Sequence, residues 1–148
     1  MDVILEVANI DFSHKTIIHT TSAGTQGIVN AKGADEIVTA SIVNAKAVTK
    51  YIQQKNPDCV SIVAMGNQGV SRADEDLLCA KYIKALLEKK EFPIEQEVEA
   101  LKNGAGAKFF DPANLIFPEE DFALCTDVNR FDFVIQVTKN GNVVEKNR

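Results

Sequence analysis

Two short stretches hold residues whose types and spacing could do chemistry. The first is "TTSAGT" at 20–25, where Thr20, Thr21, Ser22 and Thr25 supply hydroxyls and Gly24 lets the backbone turn tightly or approach a ligand. Amides at the start of a following helix are unpaired donors, and the helix dipole favours negative charge there. The stretch is therefore either an anion site built from the amides of residues 22–26 or a tight turn capped by a threonine. No Gly-Lys-Thr/Ser follows it, so it is not a Walker loop, and it is not GxGxxG. The second stretch is "SRADEDLL" at 71–78, with Asp74, Glu75 and Asp76 at a helix start. Acids in a first turn complement the dipole. They do further chemistry only with a cation, because carboxylates repel phosphate unless a hard ion such as Mg2+ bridges them. The two stretches support one another only through such a metal. Arg72 pairs with a ligand anion, with Asp74 or Asp76, or with water.

Elements must bring these stretches together. "KTIIHTT" (15–21), "DEIVTAS" (35–41) and "CVSIVAM" (59–65) read as strands, the last apolar almost throughout, as in a parallel sheet covered on both faces. "QGIVNAKG" (26–33), "NAKAVTKYIQQKN" (44–56) and "ADEDLLCAKYIKALLEKK" (73–90) read as helices. Asn44 is an N-cap candidate for the second, and Pro57 ends it. Alternation of this kind predicts an α/β fold: a layered, largely parallel sheet flanked by helices. The loops 21–25, 41–44 and 66–69 then gather beyond the carboxyl ends of the strands. Further on, "IEQEVEALKNG" (94–104) is a helix, 105–121 a loop pinned by phenylalanines, and "EEDFALCTDV" (119–128) a short helix. A C-terminal β-hairpin over 131–147 turns at Asn140-Gly141. The whole of 1–148 is expected to be a single α/β domain.

Composition narrows the function. The chain has 148 residues, 25% of them charged, and a net charge of −5. With no basic stripe and interleaved aromatics, nucleic acid is not an expected partner. No apolar run reaches membrane-spanning length. Cys59, Cys79 and Cys125 are scattered, with no CxxC, which predicts buried thiols in a cytoplasmic protein. His14 and His19 lack partners at metal-ligand spacing, and His19 reads as a hydrogen-bonded structural residue within a strand.

"TTSAGTQGI" (20–28), "ADEIVTASIVNAKAV" (34–48), "VSIVAMG" (60–66) and "EDLLCAKYI" (75–83) occur in one order. Together they resemble the 2-phosphosulfolactate phosphatase family, whose chains carry Thr-Thr-Asn-Gly-Thr, Gly-Ser-x-x-Asn-Ala-x-Ala, a strand ending near Gly, and Glu-Asp-x-x-Cys-Ala. "DFALCTDVNRFDFVIQV" (121–137) is similar to the family's last segment, and the resemblance runs from about Lys15 to Val144. Thr20, Thr21, Gly24 and Thr25 match the first signature, Asn44 and Ala45 the second, Gly66 the third, and Glu75, Asp76, Cys79 and Ala80 the fourth. Ser22-Ala23 stands where the signature has one Asn, and Ala40 where it has Gly. The family's Asp-x-x-Arg-Ala, Gly-Glu and Gly-Asn-Ser-Pro stretches are not in residues 1–14, so the resemblance is to the family's middle and C-terminal portion, with its N-terminal half absent.

The resemblance implies Mg2+-dependent hydrolysis of 2-phosphosulfolactate, or of another phosphorylated small hydroxy acid, as in coenzyme M synthesis. Chemistry then assigns substrate or phosphate binding to Thr20, Thr21, Ser22, Gly24, Thr25, Asn44 and Gly66, and the metal to Glu75 and Asp76. A sheet without its flanking strands is expected to self-associate, as a two-fold dimer, or to take up a missing N-terminal half. Activity alone is expected to be weak. The other reading is a non-catalytic anion-binding or assembly domain that retains the fold.

Overall fold

In a computed structural model, the described part of the chain comprises residue 7 and residues 10–114, 116–138 and 144–147. Helix α1 spans Gly24–Asn30 and strand β1 Ile37–Thr39. A 3-10 turn over Ile42–Asn44 leads directly into α2, Ala45–Lys55. Helices α3 (Asp74–Leu87), α4 (Ile94–Leu101) and α5 (Glu119–Thr126) follow, then strands β2 (Val134–Val137) and β3 (Val144–Asn147).

The core lies among the helices. In α3, Leu78, Tyr82 and Ala85 fall at i, i+4 and i+7, so one face is apolar, and Ile83 widens it. That face packs on α2 and α4. Leu78, Tyr82 and Ile83 join Ile42, Ala45, Ile94, Leu101 and Phe122 in one buried cluster. Burying each large apolar side chain there contributes about 2 kcal/mol. Helix α2 ends where Asn56 takes φ 46°, a left-handed cap, just ahead of Pro57. The 105–121 segment is pinned by its phenylalanines as expected: Phe109 and Phe110 pack on Phe122 at ring-centre distances of 5.9 and 5.1 Å.

The sheet corrects the expected topology. Its order is β1-β2-β3 and both pairings are antiparallel, with Ile37 opposite Val137 and Val134 opposite Asn147. The fold is a mixture of helices and a small antiparallel sheet, not a large parallel one. β1 finds its partner in the C-terminal hairpin rather than in 15–21 or 59–65. Those two runs are not strands, and no ladder hydrogen bond reaches them among the described residues. A β-branched run has the capacity for pairing, but a strand exists only where a neighbour supplies the other half of the ladder. The expected Asn140-Gly141 turn lies outside the described residues, although the strands on either side of it pair as a hairpin does.

Glu36 ties the sheet to α2. Tyr51 Oη and Gln136 Nε2 both donate to its Oε1, the latter at 2.8 Å, and Lys55 Nζ lies 3.5 Å from Oε2.

Candidate functional site

The 20–25 loop has a fully local explanation for its shape. Gly24 N–H donates to Thr21 Oγ1 at 2.9 Å and Thr25 N–H reaches the same oxygen at 3.4 Å. Thr25 Oγ1 in turn donates to the Thr21 carbonyl at 2.7 Å. Thr21 thus caps α1, taking up two of the first-turn amides that an anion would use. Helix α1 starts at Gly24, two residues before the expected start, because this cap closes the turn early. Thr20 and Ser22 are exposed and make no hydrogen bond among the described residues.

Three of the expected pieces come together in a chain of contacts. A Cβ on Gly27 would lie 2.4 Å from Met65 Sδ, so α1 rests directly on the end of the 59–65 run. Gly66 follows Met65, and its N–H donates to Asp76 Oδ2 at 2.7 Å. Asp76, half-buried in the first turn of α3, therefore faces the glycine turn rather than bulk water. Gly66 has φ +65°, and a Cβ there would stand 2.1 Å from the Ser71 carbonyl oxygen. Only glycine fits this turn, which is closed by Asn67 N–H donating to the Ser71 carbonyl at 2.9 Å.

Other expected residues lie elsewhere or are otherwise engaged. Asn44 is only 5% exposed. Its Oδ1 accepts from Ser41 N–H at 2.9 Å and its Nδ2 donates to the Phe133 carbonyl at 3.3 Å. Both ends of the amide hold backbone, and its side chain does not cap α2. Glu75 and Asp74 are exposed, and Arg72 has no ion pair among the described residues. His19 is exposed, without a hydrogen bond among the described residues, because its segment is not a strand. The cysteines are free, but only Cys79 is half-buried, while Cys59 and Cys125 are exposed. Burial pushes the Cys79 thiol up to about 11, with the Asp76 charge adding to the effect.

The one donor placed at Gly66 is a half-buried carboxylate, Asp76, with one oxygen not used by Gly66, which fits a hard cation that keeps most of its water; Glu75, the preceding residue, is exposed. Mg2+ is ordinarily held by one or two carboxylates plus substrate oxygens. Among the described residues no group of three His, Cys, Asp or Glu side chains converges, so a closed zinc-type cage is not formed. An open groove lies on another part of the molecule, lined by Lys46, Tyr82, Leu86, Lys90 and Phe92, and none of the expected site residues lines it.

Sequence reasoning missed Asn129. With φ 60°, it accepts from Lys46 N–H through Oδ1 at 2.8 Å and donates from Nδ2 to Tyr82 Oη at 2.8 Å. It caps α2 across 83 positions of sequence. Only its Asp-x-Asn-Arg setting, a turn composition, hinted at it.

The chain belongs to the 2-phosphosulpholactate phosphatase family, whose family model matches residues 4–140. The match begins ahead of Lys15 and so takes in more of the chain's start than the motifs do. A probable 2-phosphosulfolactate phosphatase of Bacillus subtilis (strain 168) is 30% identical over 141 residues, covering 93% of this chain and 60% of that protein. One from Clostridium perfringens (strain SM101 / Type A) is 29% identical over 141 residues, covering 87% and 56%. One from Synechocystis sp. is 34% identical over 76 residues. The chain thus spans 60% or less of the length of these curated relatives. No solved structure matches it. No helix among the described residues is long and apolar enough to cross a membrane.

Proposed function

We propose that this chain takes part in the Mg2+-dependent hydrolysis of a phosphorylated small hydroxy acid, releasing phosphate, and that 2-phosphosulfolactate is the first substrate to try. The observation that carries this reading is the family match over residues 4–140. In it, the exposed hydroxyls of Thr20 and Ser22 bind the phosphoryl group, while Gly24 and Thr25, bonded to Thr21, hold the loop that presents them. Thr21 shapes that loop, and Gly66 lets backbone pass close to it. Asn44 stays out of ligand contact in this reading, since both ends of its amide hold the backbone of Ser41 and Phe133. Asp76 would hold Mg2+ with Glu75 beside it, and the bound ion would offset negative charge on the phosphoryl oxygens. Asp76 is itself held by the Gly66 amide, which fixes its direction before any ligand arrives. A place in coenzyme M synthesis follows if the substrate is the sulfonated acid. Free cysteines suit a cytoplasmic setting. The partner would be a second copy or the remainder of the family fold.

Phosphate release from 2-phosphosulfolactate and other phosphorylated hydroxy acids, with and without Mg2+, tests the reading. Turnover that needs Mg2+ and falls at least tenfold in Asp76→Asn supports it. Absence of turnover with every substrate, in a folded protein, favours a non-catalytic anion-binding or assembly domain. One observation favours the assembly form of that second reading: Thr21 satisfies the Gly24 and Thr25 amides, so the loop keeps its form without an anion.

A further inference from the structure

Residues 16–31 and 59–71 contain no Asp, Glu, Lys or Arg, in a chain that is 25% charged. Within them lie the two runs that were expected to be strands, apart from Lys15 at the head of the first. Ile18 is 90% exposed and Val63 70%, with Ile17, Val60 and Ile62 also uncovered. Among the described residues, no backbone hydrogen bond is made by residues 16–20 or 58–65. Bare β-branched side chains beside unpaired amides and carbonyls form a template for an added strand. Solvated edges are ordinarily guarded by lysine or proline; the 59–65 run holds neither, and the 15–21 run holds a single lysine, Lys15, at its very start. Depletion of charge is also what separates the centre of an interface from ordinary surface.

The two runs end at one place. The first passes through the Thr21 cap into α1, and the second ends at Met65 beneath Gly27 of the same helix. That end is next to Gly66 and Asp76. The Bacillus subtilis relative is covered only to 60% of its length by this match, so a sizeable part of it lies outside.

We propose that residues 15–21 and 59–65 form a strand-pairing surface, and that its occupant is polypeptide equivalent to the unmatched part of the relatives. Whether it is continuous with this chain or separate, the occupant adds strands to both runs and borders the Asp76 site. The proposal rests on the family reading of function, yet the two can fail separately.

Hydrogen exchange read by mass spectrometry, on this chain and on the intact Bacillus subtilis relative, is the test. In this chain at low micromolar concentration, amides of 15–21 and 59–65 should exchange at least 100-fold faster than those of α3, without dependence on concentration. In the intact relative, the aligned runs should be protected to the level of the aligned α3. Ile18→Lys with Val63→Lys should leave exchange in this chain unchanged, while the aligned pair in the relative should remove the protection. Fast exchange of these runs in the intact relative would overturn the proposal. So would protection in this chain that rises with its own concentration, which would make a second copy the occupant. Phosphate release is scored separately on the same samples. Protection without turnover would sink the functional reading alone, and turnover with unprotected runs would sink this proposal alone.

Discussion

The helical body of α2, α3, α4 and α5 with the turn at Ile42, and the pair of extended runs at 15–21 and 59–65, both carry apolar residues but meet opposite fates. The first buries Ile42, Ala45, Leu78, Tyr82, Ile83, Ile94, Leu101 and Phe122 against one another. The second contributes none of these and leaves Ile17 and Ile18 in water. Helices carry their own hydrogen bonds, so once an amphipathic helix forms it needs only an apolar neighbour. An extended run needs a partner for its backbone as well as for its side chains. The difference between the regions therefore lies in what each kind of element requires from outside itself, and not in hydrophobicity alone. The candidate site sits on the seam, where α1 and the 59–65 run meet the first turn of α3.

Substitutions can break or sharpen this contrast. Phe122→Ala removes a ring that packs on Phe109, Phe110 and the backbone at Gly106, and should cost about 3–5 kcal/mol in denaturant unfolding. A loss below 1 kcal/mol would mean the helical region is not the stable body. Gly66→Ala forces a Cβ onto the Ser71 carbonyl at φ +65° and should cost about 1–3 kcal/mol. The amide resonance of residue 66, shifted in the parent by its bond to Asp76, should move as the turn opens. Asn129→Ala unpairs the Lys46 amide and Tyr82 Oη together, for about 1–2 kcal/mol. If Asn129→Ala equals the parent in stability, water replaces the side chain at no cost.

Thiol labelling compares the regions without mutation. A Cys79 thiol at about 11 holds about 100-fold less thiolate at pH 8 than an ordinary one at 9.0. Cys59, on the uncovered run, should react with a disulfide reagent first and Cys79 last, with Cys79 catching up only as pH rises towards 11 or the protein unfolds. Equal rates in the folded protein at pH 8 would contradict the burial of Cys79. The smallest effect belongs to Ile18→Ala, which should change stability by less than about 0.5 kcal/mol in this chain alone.

Much of the helical body was legible because its signals are local. The spacing of Leu78 and Ile83, the stop at Pro57 and the aromatic loop before Phe122 each follow from neighbours a few residues apart. The acids at 74–76 were legible as a helix start, but not which of them would turn inward. Asp76 does so because Gly66 offers an amide 10 residues back, a tertiary bond with no sequence spacing of its own. Asn44 shows the reverse. Its motif pointed to a ligand, while folding turned its amide onto Ser41 and Phe133.

What the amino-acid order determined by itself is the set of helices, the tight turn at Gly66 and the threonine-capped start of α1, all of them structures closed by bonds between near neighbours. What only the tertiary structure decided is pairing at a distance. β1 joins β2 antiparallel although parallel neighbours were expected, and Asn129 caps a helix that begins 84 residues before it. The runs at 15–21 and 59–65 stay unpaired for the same reason. The chain encodes the capacity of each backbone to bond, but the identity of the partner depends on which surfaces the packed helices leave within reach.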